Sequence, residues 1–586
     1  MILSVLKSRF ASALKTLVAD TDVYLDMIRP SQDPKFGDYQ ANMAMPLAKK
    51  LSKPPREVAQ QIIGNLNIAD LCTPPEIAGP GFINLRLNDR FIQTLLSDAI
   101  ADEDRLGIPK IEPDKRKTYL VDYSGPNVAK PMHVGHIRST VIGNALARML
   151  RFQGHHVITD NHLGDWGTQF GMLIFGYKNY LDKDAYRVNP VEELSRLYRL
   201  VRQKIDETAD GRRQTAADDV NTAVLCETAK LHAGDVENMA IWQEVLPHAQ
   251  DEINRIYARL KISFDYTFGE SFYQPMLEDV VEDLLQRNIA RWTEGAVGIF
   301  FDKEKVPMLV RKSDGAFLYG TTDLATVEYR LKTFKPDAVL YVVDFRQTQH
   351  FEHLFKAVRL LGVNDVELTH VKFGTVLGED GKPFKTRSGD TVGLNGLLDE
   401  AEHRAYQIVK EHDKENTLEP KLRETARRIG IGAIVYADLS QNRESDYVFS
   451  YDKMLAMTGN TATYMQYAYA RVRSIFTKGN IDVSVLRKSA TLRESAAMSA
   501  VERSLALELL KFGESLDLAL RDYRPNVLTS YLFDLSNRYS AFFEQCPVLK
   551  AESDEVRTVR LLLCDLTART LHLGLDLLGI ETVERM

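Results

Sequence analysis

Cysteine is scarce in this chain: Cys72, Cys226, Cys546 and Cys564 are the only four among 586 residues. No two form a Cys-x-x-Cys pair. This argues against a structural zinc site and a disulfide framework, and fits a reducing cytoplasm. Also missing is any apolar run long enough to cross a bilayer, so no membrane partner is expected. The opening MILSVLKSRFASALKTLVAD interleaves Leu, Val and Phe with Lys and Arg. It reads as an amphipathic helix and lacks the continuous apolar core and small-residue cleavage site of a secretory signal. Excess positive charge is absent too. The 74 Lys and Arg are outnumbered by 81 Asp and Glu, for a net charge of −7. A nucleic-acid partner would therefore need local basic patches.

The hydrophobic content of 44% and charged content of 26% are those of a globular protein. The length exceeds one ordinary core, so several domains are expected. The chemistry concentrates in YLVDYSGPNVAKPMHVGHIRSTVIGNALARML, residues 119–150. Tyr119, Leu120 and Val121 read as a strand, and Ser124, Gly125, Pro126 and Asn127 as a turn. Ile137, Val141, Ala145 and Met149 then recur at helical spacing. His133 and His136 flank Gly135 where the helix N-terminus should lie. Free backbone N–H groups, the positive dipole end and two imidazoles would suit a phosphate there. Gly135 would leave room for a ligand to approach the backbone. Asp122, Asn127 and Lys130 crowd the same strand end, where open α/β sheets bind ligands. The plain alternative is an ordinary strand–helix unit with two surface histidines.

Along the chain, residues 1–112 read as a small N-terminal α/β domain. Lys49, Lys50, Lys53 and Arg56 form a local basic patch, and Phe82 to Leu87 alternate as a strand does. Residues 113–395 alternate strand and helix, as a Rossmann-like parallel sheet domain should, with a helical insertion at about 176–290. GTVLGEDGKPFKTRSGDTVG, residues 374–393, is a Gly-rich basic loop able to cradle phosphate. Residues 396–455 read as a helical connection and 456–586 as an all-α bundle without strands. In that bundle Tyr464, Tyr467, Arg471 and Arg473 lie at one- and two-turn spacings, either a tyrosine-rich core face or a platform for single-stranded bases.

His133-Val-Gly-His136 resembles the HIGH motif of class I aminoacyl-tRNA synthetases. SGPNVAKPMHVGHIRSTVIGN, NHLGDWGTQFG, SDGAFLYGTTDLA, YADLSQNRESDYVF, GNTATYMQYAYARVRS and the terminal GIETVERM resemble the arginyl-tRNA synthetase family over nearly the whole chain. The resemblance implies ATP-dependent attachment of arginine to its tRNA through an arginyl-adenylate. ATP with Mg²⁺ would be substrate, with no tightly bound metal or zinc. The alternative is a synthetase-like tRNA-binding protein without ligase activity; retention of both motif histidines speaks against it.

The second class I motif, KMSKS, is altered here to Phe384-Lys385-Thr386-Arg387-Ser388. The resemblance then implies that Lys130, just before the first motif, supplies the missing charge. His133, His136 and Lys130 are the implied catalytic residues, and Gly135, Lys385 and Arg387 would join them around ATP. Asp122, Asn127, Tyr319, Asp323 and Gln347 are the implied arginine contacts, with capping of a helix as the alternative for Asp323. Asp165 and Trp166 are expected to shape the pocket. Phe82 and Asn84 are implied contacts of an N-terminal tRNA D-loop-binding domain. Tyr464, Tyr467 and Met586 are implied contacts of an anticodon-binding bundle. A monomer is expected.

Overall fold

The computed structural model describes residues 2–209, 217–302, 306–384, 393–413, 417–489 and 498–586. Its organising sheet has five strands: β5 (Thr118–Asp122), β6 (His156–Leu163), β7 (Tyr266–Gly269), β11 (Ala338–Tyr341) and β12 (Glu367–His370). They pair in parallel in the order β12-β11-β5-β6-β7. The chain starts in the middle, winds out to β7, then returns to the other side of β5. The strand order therefore reverses between β5 and β11, and a crevice opens beyond their carboxyl ends. β11 is buried throughout (Ala-Val-Leu-Tyr), as a central parallel strand requires. In register across the sheet, Tyr341 of β11 pairs with Asp122 of β5, and Asp122 with Asp160 of β6. Three polar side chains thus line up at the floor of the crevice.

Between β6 and β7 the chain runs through the helices Thr168–Tyr180, Lys183–Val188, Pro190–Ala209, Ala217–His232 and Val236–Leu260. After β7 comes an antiparallel sheet whose three strands sequence patterning did not signal: β8 (Ala290–Thr293), β9 (Ala296–Ile299) and β10 (Met308–Arg311). Its strands are four residues each, too short for alternation to stand out.

The N-terminal domain is a four-stranded antiparallel sheet in the order β1-β2-β4-β3. Its strands are β1 (Ile28–Pro30), β2 (Tyr39–Ala41), β3 (Glu76–Ala78) and β4 (Phe82–Leu85). It docks directly on the C-terminal bundle. Arg503 holds Asp38 at 2.7 Å and Asp89 at 2.9 Å. Glu514 accepts from the Leu3 N–H at 2.7 Å and from the Tyr39 hydroxyl at 3.0 Å.

The C-terminal part is helical except within the region 396–455, expected to be a helical connection, which also supplies a short strand. Two residues of β14 (Tyr447–Val448) pair in parallel with β13 (Val376–Leu377). This pairing recruits the segment after the long helix Glu419–Leu439 to the root of the Gly-rich loop. Among the described residues no helix is long and apolar enough to cross a membrane.

Candidate active site

The helix Val134–Gln153 starts with a cap built from its own histidines. His133 is the N-cap residue, in extended backbone. The Gly135 N–H donates to His133 Nδ1 at 3.1 Å, and the His133 N–H donates to His136 Nδ1 at 3.0 Å. This is a capping box with imidazoles in place of Ser and Glu. The two rings lie 3.9 Å apart, centroid to centroid. A Cβ at Gly135 would come within 2.9 Å of the His133 ring. Glycine is needed there by the cap itself. The Gly135 N–H is therefore occupied within the motif, and not free for a ligand as the sequence suggested.

The cap also sets the protonation of both rings. Burial, then the charges of Lys130 and Arg346, lower the His133 pKa. Burial, then His133 and Lys130, push His136 down to about 3. Both rings are neutral at physiological pH. Because each Nδ1 accepts, each Nε2 carries the proton and is a donor.

The turn before this helix is held in an unusual conformation. Ser124 has φ +73° and Gly125 φ +51°. A left-handed serine is disfavoured unless its surroundings impose it. Here the Ser124 N–H donates to Ser139 Oγ at 2.8 Å, and its hydroxyl bonds Thr140 Oγ1 at 2.8 Å and the Tyr257 hydroxyl at 2.7 Å. Asn127 closes the turn by accepting the Ala129 N–H at 3.2 Å, and bridges to Gly164 beyond β6. Lys130 is half-buried, with its ammonium 5.8 Å from the Tyr198 ring centroid.

On the strand side the charge is negative. Arg330, on the helix Tyr319–Phe334, is fully buried, and its Nη2 reaches both Asp122 Oδ2 and Asp160 Oδ2 at 2.7 Å. Asp122 is thus already paired with an internal guanidinium. Burial raises the Asp160 pKa, and Arg330 opposes that rise. Tyr319 and Asp323 stand one helical turn apart on the same helix. Tyr319 is 68% exposed. Asp323 lies inside the helix, whose N-cap is Leu318, so it is no cap. Its Oδ2 meets His350 Nε2 at 2.5 Å. Burial lowers the His350 pKa, but the hydrogen bond and charge of Asp323 outweigh it and the pKa is raised. Gln347 is exposed in the short turn Phe345–Gln347 beside Arg346.

Three residues of this pocket carried no local sequence signal: Glu270, Arg330 and His350. Glu270 follows β7 directly. Burial, then the charges of Asp165 and Asp323, push its carboxyl up to about 8. Asp165 is buried and accepts from the Ser271 N–H at 2.9 Å and the Ser271 hydroxyl at 2.6 Å. Gly269 allows this approach: a Cβ there would lie 2.0 Å from Asp165 Oδ2.

Lys385 and Arg387 lie outside the described residues. The chain returns from their segment onto the histidine motif. Gly393 bridges to His133, and the Leu394 N–H donates to Met132 O at 2.8 Å. Among the described residues no cluster of His, Cys, Asp and Glu is placed to hold a metal ion.

The residues implied in tRNA contact lie on elements outside the five-stranded sheet. Phe82 is half-buried on β4, whereas Asn84 is buried and accepts from Gln40 Nε2 at 2.8 Å. On the helix Ala462–Gly479, Tyr467 is exposed, and the Tyr464 hydroxyl donates to Asn537 Oδ1 at 3.2 Å. Met586 packs against the core, half-buried. Glu584 nearby ties the end of the chain to Tyr469 at 2.9 Å and Arg473 at 3.2 Å.

Comparison with known proteins gives three consecutive family matches. Residues 4–87 match the arginyl tRNA synthetase N terminal domain, 96–451 the class I (R) tRNA synthetase catalytic domain, and 465–586 the DALR anticodon binding domain. An arginine–tRNA ligase of Rhodopirellula baltica is 45% identical, covering 100% of this chain and 99% of its own. Among solved structures, the arginyl-tRNA synthetase of Plasmodium falciparum has a TM-score of 0.84 at 29% identity, covering 100% of this chain and 99% of that one. That of Thermus thermophilus has 0.82 at 25%, covering 100% of both. The order of the three matches is the order of the three structural parts described above, and the chain belongs to the class I arginyl-tRNA synthetases.

Proposed function

We propose that the crevice beyond β5 and β11 brings ATP and arginine together from opposite sides, and that this geometry carries the arginine–tRNA ligase reaction. The supporting observation is the segregation of charge. Neutral imidazole donors with Lys130 stand on one side, where the nearby Arg346 is paired with Asp344 at 2.7 Å. Asp323, Glu270 and Asp165 stand on the other, where Arg330 is taken up by Asp122 and Asp160 and Asp323 is met by His350.

In the first step an oxygen of the arginine carboxylate attacks the α-phosphorus of ATP, and pyrophosphate leaves. ATP arrives with its Mg²⁺. The chain's part is to hold the reactants in line and to meet the charge that builds on the phosphate oxygens. The Nε2–H groups of His133 and His136 donate to those oxygens, and Lys130 supplies the positive charge. Lys385 and Arg387 complete the ATP site, and Gly135 serves it by letting the His133 ring close the cap. The arginine guanidinium, with its planar fork of donors, suits paired carboxylates. Asp323 and Glu270 fill that role, Tyr319 covers them, and Asn127, Gln347 and Asp122 hold the amino and carboxylate end. In the second step the terminal ribose hydroxyl of tRNA attacks the activated carbonyl and AMP leaves.

The N-terminal domain, residues 1–112, meets the tRNA elbow through Phe82. Asn84 acts there only if Gln40 yields it. The 456–586 bundle meets the anticodon through Tyr464, Tyr467 and Met586. Because the chain is acidic overall, its tRNA contacts rest on local cations and binding weakens steeply with salt. The working unit is a cytoplasmic monomer.

The test is ATP–pyrophosphate exchange with each amino acid, with and without tRNA. Exchange is expected with arginine alone among amino acids, and strongly only when tRNA is bound. Exchange driven by a different amino acid would overturn the assignment of the carboxylate pocket.

A further inference from the structure

Arg138 lies five residues beyond His133 on the same helix, about 7.5 Å along its axis. It is one of the largest fully buried side chains in the protein. Its Nε lies 3.1 Å from Asp438 Oδ2, on the long helix Glu419–Leu439, and both side chains are almost wholly shielded from water. Its Nη1 donates to the Ser445 carbonyl at 3.0 Å. Its guanidinium carbon stands 5.2 Å from the Tyr447 ring centroid and 5.7 Å from that of Phe373. A buried charge of this kind is expensive, and an apolar pair of similar volume is often as stable or more so. Stability alone is therefore a weak reason for it.

What the guanidinium touches suggests a different reason. Ser445 and Tyr447 belong to the segment that pairs with β13, and Phe373 stands just before β13. The Gly374 N–H donates to Arg443 O at 2.9 Å, and the Thr375 N–H to Asp446 Oδ1 at 2.6 Å. β13 leads into Gly378–Phe384, and the Phe384 N–H folds back to Val376 O at 3.0 Å. This is the outgoing root of the basic loop. The returning root is already fixed to the other end of the same motif, through the Gly393–His133 bridge and the Leu394–Met132 hydrogen bond. Both roots are thus referred to one helix, the first by Arg138 and the second by the histidine cap.

We propose that Arg138 is a positioning residue for adenylate formation, holding the outgoing root of the basic loop in register with the imidazole pair without touching ATP or arginine. It rests on the reading that the imidazoles and the basic loop both serve ATP. A planar fork is required: one nitrogen reaches Asp438 while another reaches the Ser445 carbonyl, and a lysine ammonium cannot span both.

The experiment uses the full chain with saturating tRNA. Arg138→Lys and Asp438→Asn are assayed by ATP–pyrophosphate exchange, normalised to folded enzyme by active-site titration. The expected result is a fall of at least about tenfold in exchange kcat, with the arginine KM within about twofold of the parent. A second variant, Arg138→Met with Asp438→Leu, replaces the ion pair by an apolar one. It is expected to melt near the parent temperature and to remain slow. Parent-like kcat per folded molecule in Arg138→Lys overturns the proposal, as does recovery of kcat in the apolar double variant. An arginine KM that moves as much as kcat also overturns it, since that would place Arg138 in the arginine pocket. Loss of exchange in the parent chain itself would count against the reading of the crevice instead.

Discussion

The two sides of the crevice carry opposite charge and hold it by different means. On the helix side the donors are neutral: His133 and His136 are locked by reciprocal hydrogen bonds to the backbone, and their protons are confined to Nε2. Positive charge is added nearby by Lys130, whereas Arg346 is already paired with Asp344 at 2.7 Å. On the strand side the charge is in excess and incompletely balanced. Arg330 answers Asp122 and Asp160, whereas Glu270 is pushed up to about 8 and Asp323 is met by His350. The helix side is thus ready before ATP arrives. The strand side holds part of its charge in protonated form until a guanidinium replaces the protons.

The largest effect should come from removing the strand side's internal cation. Arg330→Leu leaves Asp160 buried without a partner and should cost about 3–5 kcal/mol of stability. Urea unfolding measures it; an unshifted midpoint would show that the carboxylates balance without Arg330. Next is the helix side. Lys130→Ala should lower exchange kcat by about 10²–10³-fold, with a much smaller change in arginine KM. Equal losses in both would erase the division of labour between the two sides. Glu270→Gln and Asp323→Asn should do the reverse, raising arginine KM about 10- to 100-fold with little change in kcat.

The smallest effect sharpens the comparison through pH. A protonated Glu270 offers the guanidinium no charge, and a protonated His350 engages Asp323. The pKa values of both are raised. Arginine binding must therefore release protons, and its affinity should rise as pH rises, levelling off above about 8 on account of Glu270. Arginine KM measured across this range should fall with pH, and the dependence should flatten in Glu270→Gln and His350→Asn. A KM that climbs with pH contradicts the stored-proton picture.

The helix side was legible in the sequence because it is local. Asn127, Lys130, His133 and His136 fall within ten residues, and a strand, a turn and a helix start can be read from their neighbours. What remained hidden even there was tautomer and cap: nothing in His-Val-Gly-His says that each Nδ1 faces a backbone N–H. The strand side is assembled from afar. Glu270 stands after a four-residue strand, Arg330 looks like an ordinary helical cation, and His350 follows two glutamines in an amphipathic helix. Only the order of strands in the sheet brings them together. The same holds for Arg138, whose partner Asp438 is three hundred residues away. The short strands β8, β9, β10 and β14 were missed because two to four residues cannot display a period.

The contact between Gly269 and Asp165 constrains how this pocket can change by mutation. With a carboxylate oxygen 2.0 Å from where a side chain would start, position 269 accepts no other residue while Asp165 stays in place. Loss of Asp165 would open that position, and any substitution fixed there afterwards would bar the aspartate's return. The pair works as a ratchet: the two sites can vary only in one order, and once both have changed, the aspartate can return only after position 269 has gone back to glycine.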